Sequence, residues 1–130
     1  MRAARPTAVI YAIFGTALAF AQPLEDAPLQ TRSGQEVRVG AYAAFKRDCS
    51  GGTAADLRPA GDQRHGVLVI TSGTLSTSHV PGCPTVTSPA HILSYRPNPG
   101  FVGTERLSFD VIDPATGGVQ AHSVAITVSP

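Results

Sequence analysis

The most informative segment of this chain is Ile92-Leu-Ser-Tyr-Arg-Pro-Asn-Pro-Gly-Phe-Val-Gly-Thr-Glu-Arg-Leu-Ser-Phe-Asp-Val-Ile-Asp113. It opens with a short apolar run of strand propensity. Pro97-Asn98-Pro99-Gly100 then forms a turn by composition, because prolines fix φ and remove donors while glycine accepts a positive φ. Beyond the turn, Leu107, Phe109 and Val111 alternate with mostly polar residues, which is the period of a half-buried strand. The segment therefore predicts a strand, a rigid corner and a second strand.

An alternating run also occurs in the first half of the chain. Val37 and Val39 share one face of this run, and Ala43 and Phe45 keep the same phase. Because successive side chains of a strand point to opposite faces, Tyr42 is expected to face outward.

Further strand and turn signals lie on both sides of the key segment. Residues 66–70 are a continuous apolar run, 71–73 are expected to be a hairpin turn, and 74–79 its partner strand. Residues 123–129 alternate as a last strand. No helical periodicity of useful length follows residue 21. Short strands with turn signals about every 8–12 residues predict an all-β protein, an antiparallel β-sandwich of about seven strands.

The pattern Tyr95-x-Pro97-x-Pro99-Gly100-Phe101-x-Gly103-x-Glu105-x-Leu107-x-Phe109-x-Val111-x-Asp113 resembles the C-terminal half of bacterial immunoglobulin-like and cadherin-like repeat domains. The resemblance continues into Gly117-Gly118 and the last strand. It extends more weakly upstream to His65-Gly66, where the family often has a His-Gly pair opening a strand. It implies a single immunoglobulin-like module and says almost nothing about activity.

The beginning of the chain has the features of a secretory signal peptide. A basic start, Met1–Arg5, precedes an apolar run from Ala8 that ends in Ala19-Phe20-Ala21. The run would span about 21 Å as a helix, less than a hydrocarbon core of about 30 Å, so cleavage is favoured over anchoring. We expect a signal peptide at 1–21, a mobile N-terminal segment with an edge strand at 22–35, and the immunoglobulin-like domain at 36–130. The destination would be the periplasm or the medium, with no membrane span after cleavage.

Charge and aromatic content argue against nucleic-acid binding. Of the ten Lys and Arg residues, two lie within 1–21, which leaves eight against nine acidic residues and a net charge of −1. A protein that binds nucleic acid through phosphates needs a basic surface. Tryptophan is absent, so a stacking platform for bases is not indicated either.

The two cysteines, Cys49 and Cys83, form an even count in an exported chain and predict one disulfide. A metal pair with His79 is the alternative, but it lacks the spacing of a zinc site. Both cysteines lie in Gly-, Pro- and Ser-rich segments, so the bond is expected to join two loops. On the chain-entropy model it would contribute roughly 4 kcal/mol.

The region from Lys46 to Gln63 is expected to be a long loop, within which Leu57 could anchor a short strand. A loop of this length in a compact domain usually has a function or a covalent tie, and Cys49 supplies the tie. Since functional residues concentrate on loops held by a rigid scaffold, 46–63 is the candidate contact surface for a protein or cell-surface partner.

Candidate chemistry elsewhere is sparse. Four histidines show no HxH, HxxxH or HExxH spacing, and no GxSxG or SxxK motif accompanies them: His65, His79, His91 and His122. A Ser-His-Asp site would have to be assembled from distant residues. Three scattered arginines are expected at the surface: Arg64, Arg96 and Arg106.

Calcium binding is the sharper alternative, because cadherin-like relatives bind calcium between modules. Asp48, Glu105, Asp110 and Asp113 have the right ligand chemistry. The family often has Asp at the place of Glu105, however, and its acidic loop is replaced here by residues 45–52. We expect no catalytic, cofactor-binding or metal residues. The function expected is a non-catalytic binding, adhesion or structural module of the cell envelope; the alternatives are a calcium-dependent adhesion module, or an enzyme or enzyme inhibitor on the same fold.

Overall fold

The computed structural model describes residues 23–61 and 63–130, so the signal peptide predicted at 1–21 lies outside the described residues. These residues contain no helix, and therefore none that could cross a membrane. They form nine strands: β1 Leu24–Glu25, β2 Leu29–Arg32, β3 Val37–Phe45, β4 Gly52–Ala54, β5 Asp56–Ala60, β6 Gly66–Thr77, β7 Val86–Pro97, β8 Gly103–Ile112 and β9 Val119–Ser129.

Two sheets pack face to face. The five-stranded sheet runs β1-β9-β8-β5, with β2 also on β9, and the four-stranded sheet runs β4-β3-β7-β6. The groups β3-β7-β6 and β5-β8-β9 correspond to the B-E-D and C-F-G strands of immunoglobulin domains. Both N-terminal strands run parallel to β9, whereas the remaining pairs are antiparallel. The predicted immunoglobulin-like β-sandwich is confirmed; the two shortest strands, β1 and β4, raise the number above seven.

The central core lies between the sheets and follows the predicted alternation. Leu107, Phe109 and Val111 of β8 are fully buried, and β9 contributes the predicted Val124, Ile126 and Val128. Burying each of these apolar side chains contributes about 1.5–3 kcal/mol. The opposite sheet completes the core with Val39, Tyr42, Leu93 and Tyr95.

The prediction that Tyr42 faces outward is wrong, because β3 changes phase. Its pairing with β7 shifts register between Arg38 and Gly40, and such a bulge sends the following side chains to the opposite face. Tyr42 is 0% exposed and packs in the central core. A Cβ on Gly40 would lie 2.5 Å from the Tyr42 hydroxyl oxygen, so the glycine makes room for this ring.

The hairpin turn predicted at 71–73 is also wrong. Strand β6 is continuous and pairs with β7 along its whole length, from Gly66 opposite Pro97 to Thr77 opposite Val86. Gly73 serves a close approach rather than a turn, since a Cβ there would lie 2.5 Å from the end of the Ile92 side chain. The connection between the two strands lies at 78–85 instead.

The long loop predicted at 46–63 is much shorter in the structure. Strands β4 and β5 occupy its middle, residues 52–54 and 56–60, and Leu57 lies opposite Val111 of β8, within the sheet. Ala55 between the two strands is fully buried. Residues 46–51 form the turn between β3 and β4. Within the segment 22–35, Leu24–Glu25 pairs with β9, and the expected edge strand is β2.

A second hydrophobic cluster covers the outer face of the four-stranded sheet. Strand β3 presents Ala41, Ala43 and Phe45 to it, because the bulge separates these from the face of Tyr42. The β6–β7 hairpin adds Leu75, Val80, Val86 and Ala90, and the cysteines pack against its edge. Most of these side chains are small, so this outer cluster buries less apolar surface per residue and stabilises the fold less than the central core does.

Replacing Phe109 with alanine should lower the free energy of unfolding by about 3–5 kcal/mol, because it leaves a cavity in the central core. The matched control is Val119→Ala on the neighbouring strand, whose side chain is 47% exposed and should cost less than about 0.5 kcal/mol. Urea denaturation measures both. Equal losses for the two variants would contradict the burial of the Phe109 side chain in the core.

Candidate functional site

The carboxylate of Glu105 lies buried at one end of the sandwich, with 7% of the residue exposed. It accepts hydrogen bonds from the Tyr95 hydroxyl and from the backbone N–H groups of Arg64, at 2.8 Å, and His65, at 3.3 Å. Burial raises the pKa of Tyr95, and the neighbouring Glu105 raises it further. Glu105 is therefore a structural acceptor and does not face an open calcium site.

The segment before β6 and the turn after β7 pack against each other beside this carboxylate, and we call this region the corner. The His65 ring stacks on Phe101 with ring centres 4.3 Å apart, and the His65 carbonyl accepts from the N–H of Asn98 at 2.8 Å. A Cβ on Gly66 would lie 2.5 Å from the Tyr95 ring and 2.6 Å from the carbonyl oxygen of Arg96. The pattern that carried the family resemblance thus has a structural explanation: it fastens the start of β6 to β7 and β8.

A buried ion-pair geometry joins the N-terminal segment to β9. His122 is 3% exposed, and its Nδ1 lies 3.1 and 3.2 Å from the two carboxylate oxygens of Asp26. Its ring stacks on Phe109 at 5.3 Å and meets the edge of Tyr42 at 5.6 Å. Burial raises the pKa of Tyr42, and the charge of Asp26 adds to the effect. The His122 Nε2 and the Tyr42 hydroxyl are buried without a hydrogen-bond partner.

Asp26 and His122 resemble two members of a Ser-His-Asp site, but no serine of the described residues 23–61 and 63–130 completes it. In such a site the serine hydroxyl lies within hydrogen-bond reach of the second imidazole nitrogen. Here Nε2 of His122 has no partner. The pair therefore positions the N-terminal segment and has no nucleophile to activate. Sequence inspection missed the pair because its two members are 96 positions apart.

The other histidines lie apart from one another. His65 stacks in the corner, and His91 holds the carbonyl oxygen of Ala55 with its Nδ1 at 2.6 Å. His79 lies in the β6–β7 connection, where its backbone N–H donates to the Thr77 hydroxyl at 3.1 Å.

The four acids considered for calcium do not converge. Asp48 lies in the turn after β3, Glu105 is engaged in the corner, and Asp110 lies 3.8 Å from Arg58 on the outer face. Asp113 accepts from the N–H of Ala115 at 2.9 Å in the β8–β9 turn. Among the described residues, no group of three or more His, Cys, Asp or Glu side chains could hold a metal ion.

The arginines are likewise separate. Arg106 donates to both carboxylate oxygens of Glu25, at 2.8 and 2.9 Å, and to the Ser123 hydroxyl at 2.7 Å. Arg96 lies 3.5 Å from Glu36 at the surface. Arg64 contributes its backbone N–H to the corner. No cluster suited to binding an anion results.

A shallow groove of about 400 Å³ crosses the five-stranded sheet. Its lining is dominated by small residues and two acids: Pro23, Glu25, Ala60, Ser108, Phe109, Asp110, Ala121, His122 and Ser123. Both acids are already near arginines, Glu25 near Arg106 and Asp110 near Arg58. The groove therefore offers little unpaired chemistry to a ligand.

The predicted disulfide between Cys49 and Cys83 is present, with the two Cα atoms 5.4 Å apart. It joins the turn 46–51 after β3 to the connection 78–85 between β6 and β7, so the prediction that it ties one loop to another is confirmed. We call these two segments together the clipped end. Beneath them lies the outer hydrophobic cluster, which contains Val80 and packs against both cysteines.

The clipped end is ordered by local hydrogen bonds as well as by the disulfide. The N–H of Lys46 donates to the carbonyl of Gly51 at 2.8 Å, which closes the turn. Asp48 accepts from the Ser50 hydroxyl at 2.5 Å and from the Ser50 N–H at 3.0 Å, and these bonds lower the pKa of Asp48. Lys46, Arg47 and Asp48 are exposed. The clipped end therefore presents charged side chains on a fixed backbone.

Comparisons with known proteins include a short similarity to a curated protein. No protein-family model matches the chain. A segment of 36 residues, 28% of the chain, is 47% identical to integrin beta-like protein E of Dictyostelium discoideum, and it corresponds to 2% of that protein's length. The chain thus spans a small part of this relative, and the similarity assigns it to no family. The fold itself defines the class, an immunoglobulin-like β-sandwich.

Replacing Glu105 with alanine should lower the free energy of unfolding by about 3 kcal/mol, because the buried Tyr95 hydroxyl loses its acceptor. Thr104→Ala, at an exposed neighbouring position, should cost less than about 0.5 kcal/mol. Chemical denaturation compares the two. A cost at Glu105 as small as that at Thr104 would mean that the carboxylate does not hold the corner.

Replacing Cys83 with serine should lower stability by roughly 2–4 kcal/mol, because the unfolded chain regains the freedom of the loop that the disulfide closes. Cys49→Ser and the double variant should lose the same amount, since any of the three changes removes the one bond. Thermal unfolding with and without reductant measures the loss. A double variant much less stable than either single variant would be inconsistent with this account.

Proposed function

We propose that this protein is an exported, non-catalytic immunoglobulin-like module that binds a protein or cell-surface partner through the clipped end. The observation that carries the proposal is the joining of two exposed loops by Cys49–Cys83 over a hydrophobic cluster of their own. Binding residues concentrate on loops held by a rigid scaffold. A preorganised surface loses less conformational entropy on binding, which favours affinity.

The location and the role both have independent support. A disulfide persists in oxidising compartments such as the periplasm or the extracellular space, which supports export. The short similarity to integrin beta-like protein E supports an adhesion-type role through that protein's name. The resemblance of 95–113 to bacterial immunoglobulin-like and cadherin-like repeats supports the same class. We therefore include in the proposal that the chain is a member of the bacterial immunoglobulin-like and cadherin-like repeat domain family.

The exposed charges of the clipped end indicate which side chains would contact the partner. Lys46 and Arg47 are exposed beside Asp48, whose carboxylate is occupied by Ser50. Neither cation has an acidic partner within salt-bridge distance among the described residues. The pair is therefore available to an acidic group on the partner, and charge complementarity of this kind chiefly raises the association rate.

The paired substitution Lys46→Glu and Arg47→Glu should reduce binding of the labelled protein to intact cells or envelope fractions by roughly tenfold or more, because charges opposing a partner cost several kcal/mol. The matched control reverses the charges of Arg32 and Arg38, which are also exposed and lie on β2 and β3. Saturation binding measures both variants, and their melting temperatures establish that each is folded. Equal losses in the two variants would locate the binding surface elsewhere.

A further inference from the structure

Strand β6, Gly66–Thr77, forms an open edge of the four-stranded sheet. It pairs with β7 over all 12 of its residues, and no other strand among the described residues lies on its far side. An edge strand presents unpaired backbone N–H and C=O groups to any further strand. Natural proteins usually protect such edges with charged residues, prolines, short strands or bulges.

The other sheet edges of this molecule carry that protection. Strand β5 contains Asp56, Arg58 and Pro59, and β4 has only three residues. The edge formed by β1 and β2 is interrupted around Pro28 and carries charged side chains. By contrast β6 reads Gly-Val-Leu-Val-Ile-Thr-Ser-Gly-Thr-Leu-Ser-Thr, with no charged residue and no proline. It is long, regular and unprotected.

The side chains of β6 indicate what would cover this edge. Val67 is 45% exposed and Ile70 is 43% exposed, and the other exposed side chains of the strand are Thr and Ser. Because β6 has no charged side chain, it has no means of attracting a charged partner strand specifically. An identical strand fits, because it brings the same apolar side chains and no repulsion. Two antiparallel copies related by a two-fold axis form such a self-complementary contact.

We propose that β6 pairs antiparallel with β6 of a second copy of this chain. The two four-stranded sheets then join into one continuous sheet of eight strands. A two-fold axis perpendicular to the sheet keeps each face on its own side. With the axis at Ile70, the two exposed Ile70 side chains contact each other and are withdrawn from water. The groove on the five-stranded sheet stays outside this interface.

The test compares two lysine substitutions at sites of similar exposure. Ile70→Lys places two like charges across the two-fold axis, whereas Val119→Lys adds the same charge on β9, in the other sheet, where the side chain is 47% exposed. Sedimentation velocity over a concentration series measures the dissociation constant. We expect the wild-type chain to dimerise, Ile70→Lys to raise the constant at least about tenfold, and Val119→Lys to leave it unchanged.

Amide hydrogen exchange supplies a second measurement on the unaltered chain. Amides of 66–77 should exchange more slowly as the protein concentration rises. The exchange rates of the amides of β5, a protected edge strand, should not change. A wild-type chain that remains monomeric up to about 1 mM would overturn the proposal, because its affinity would then be too weak to matter. Equal dissociation in both lysine variants would overturn it too. Should Ile70→Lys fail to fold, Thr71→Lys, at a position already exposed, takes its place.

Discussion

The buried carboxylate of Glu105 ties three parts of the chain together at one end of the sandwich. It lies on β8, accepts from the Tyr95 hydroxyl on β7, and accepts from the two backbone N–H groups that precede β6. Since β7 and β8 belong to different sheets, this contact fixes how the sheets meet. Loss of the carboxylate leaves three donors without an acceptor, which lowers the stability of the folded chain. The corner at 97–100 is what returns the chain to make the contact.

Local sequence signals predicted the structure where a residue's neighbours along the chain decide its position. The alternation of Leu107, Phe109 and Val111 needs only the two-residue period of a strand, and all three are buried as expected. The corner followed from proline and glycine chemistry. Pairing of Cys49 with Cys83 followed from counting, because two cysteines in a chain predicted to be exported leave one combination.

The predictions failed where a distant part of the chain decides. Tyr42 faces the core because one extra residue in β3 shifts its register against β7, which no local period reveals. Residues 71–73 have turn-forming types, yet pairing with β7 holds them extended. The contact of Asp26 with His122 depends on the N-terminal segment lying along the last strand. The disulfide of the candidate site was therefore predicted correctly, whereas residues 52–54 and 56–60 of the predicted loop are strands.

The parallel ladder between the N-terminal strands and β9 has a mechanical consequence. Leu24 lies beside His122 and Arg32 beside Ser129, so the first and last strands advance in the same direction. A pulling force applied between residues 23 and 130 therefore drags the two strands along each other. The hydrogen bonds of such a ladder share the load simultaneously, whereas a zipper breaks them one after another. Force in this direction is thus resisted by several hydrogen bonds at once, and the resistance is governed by the unfolding rate.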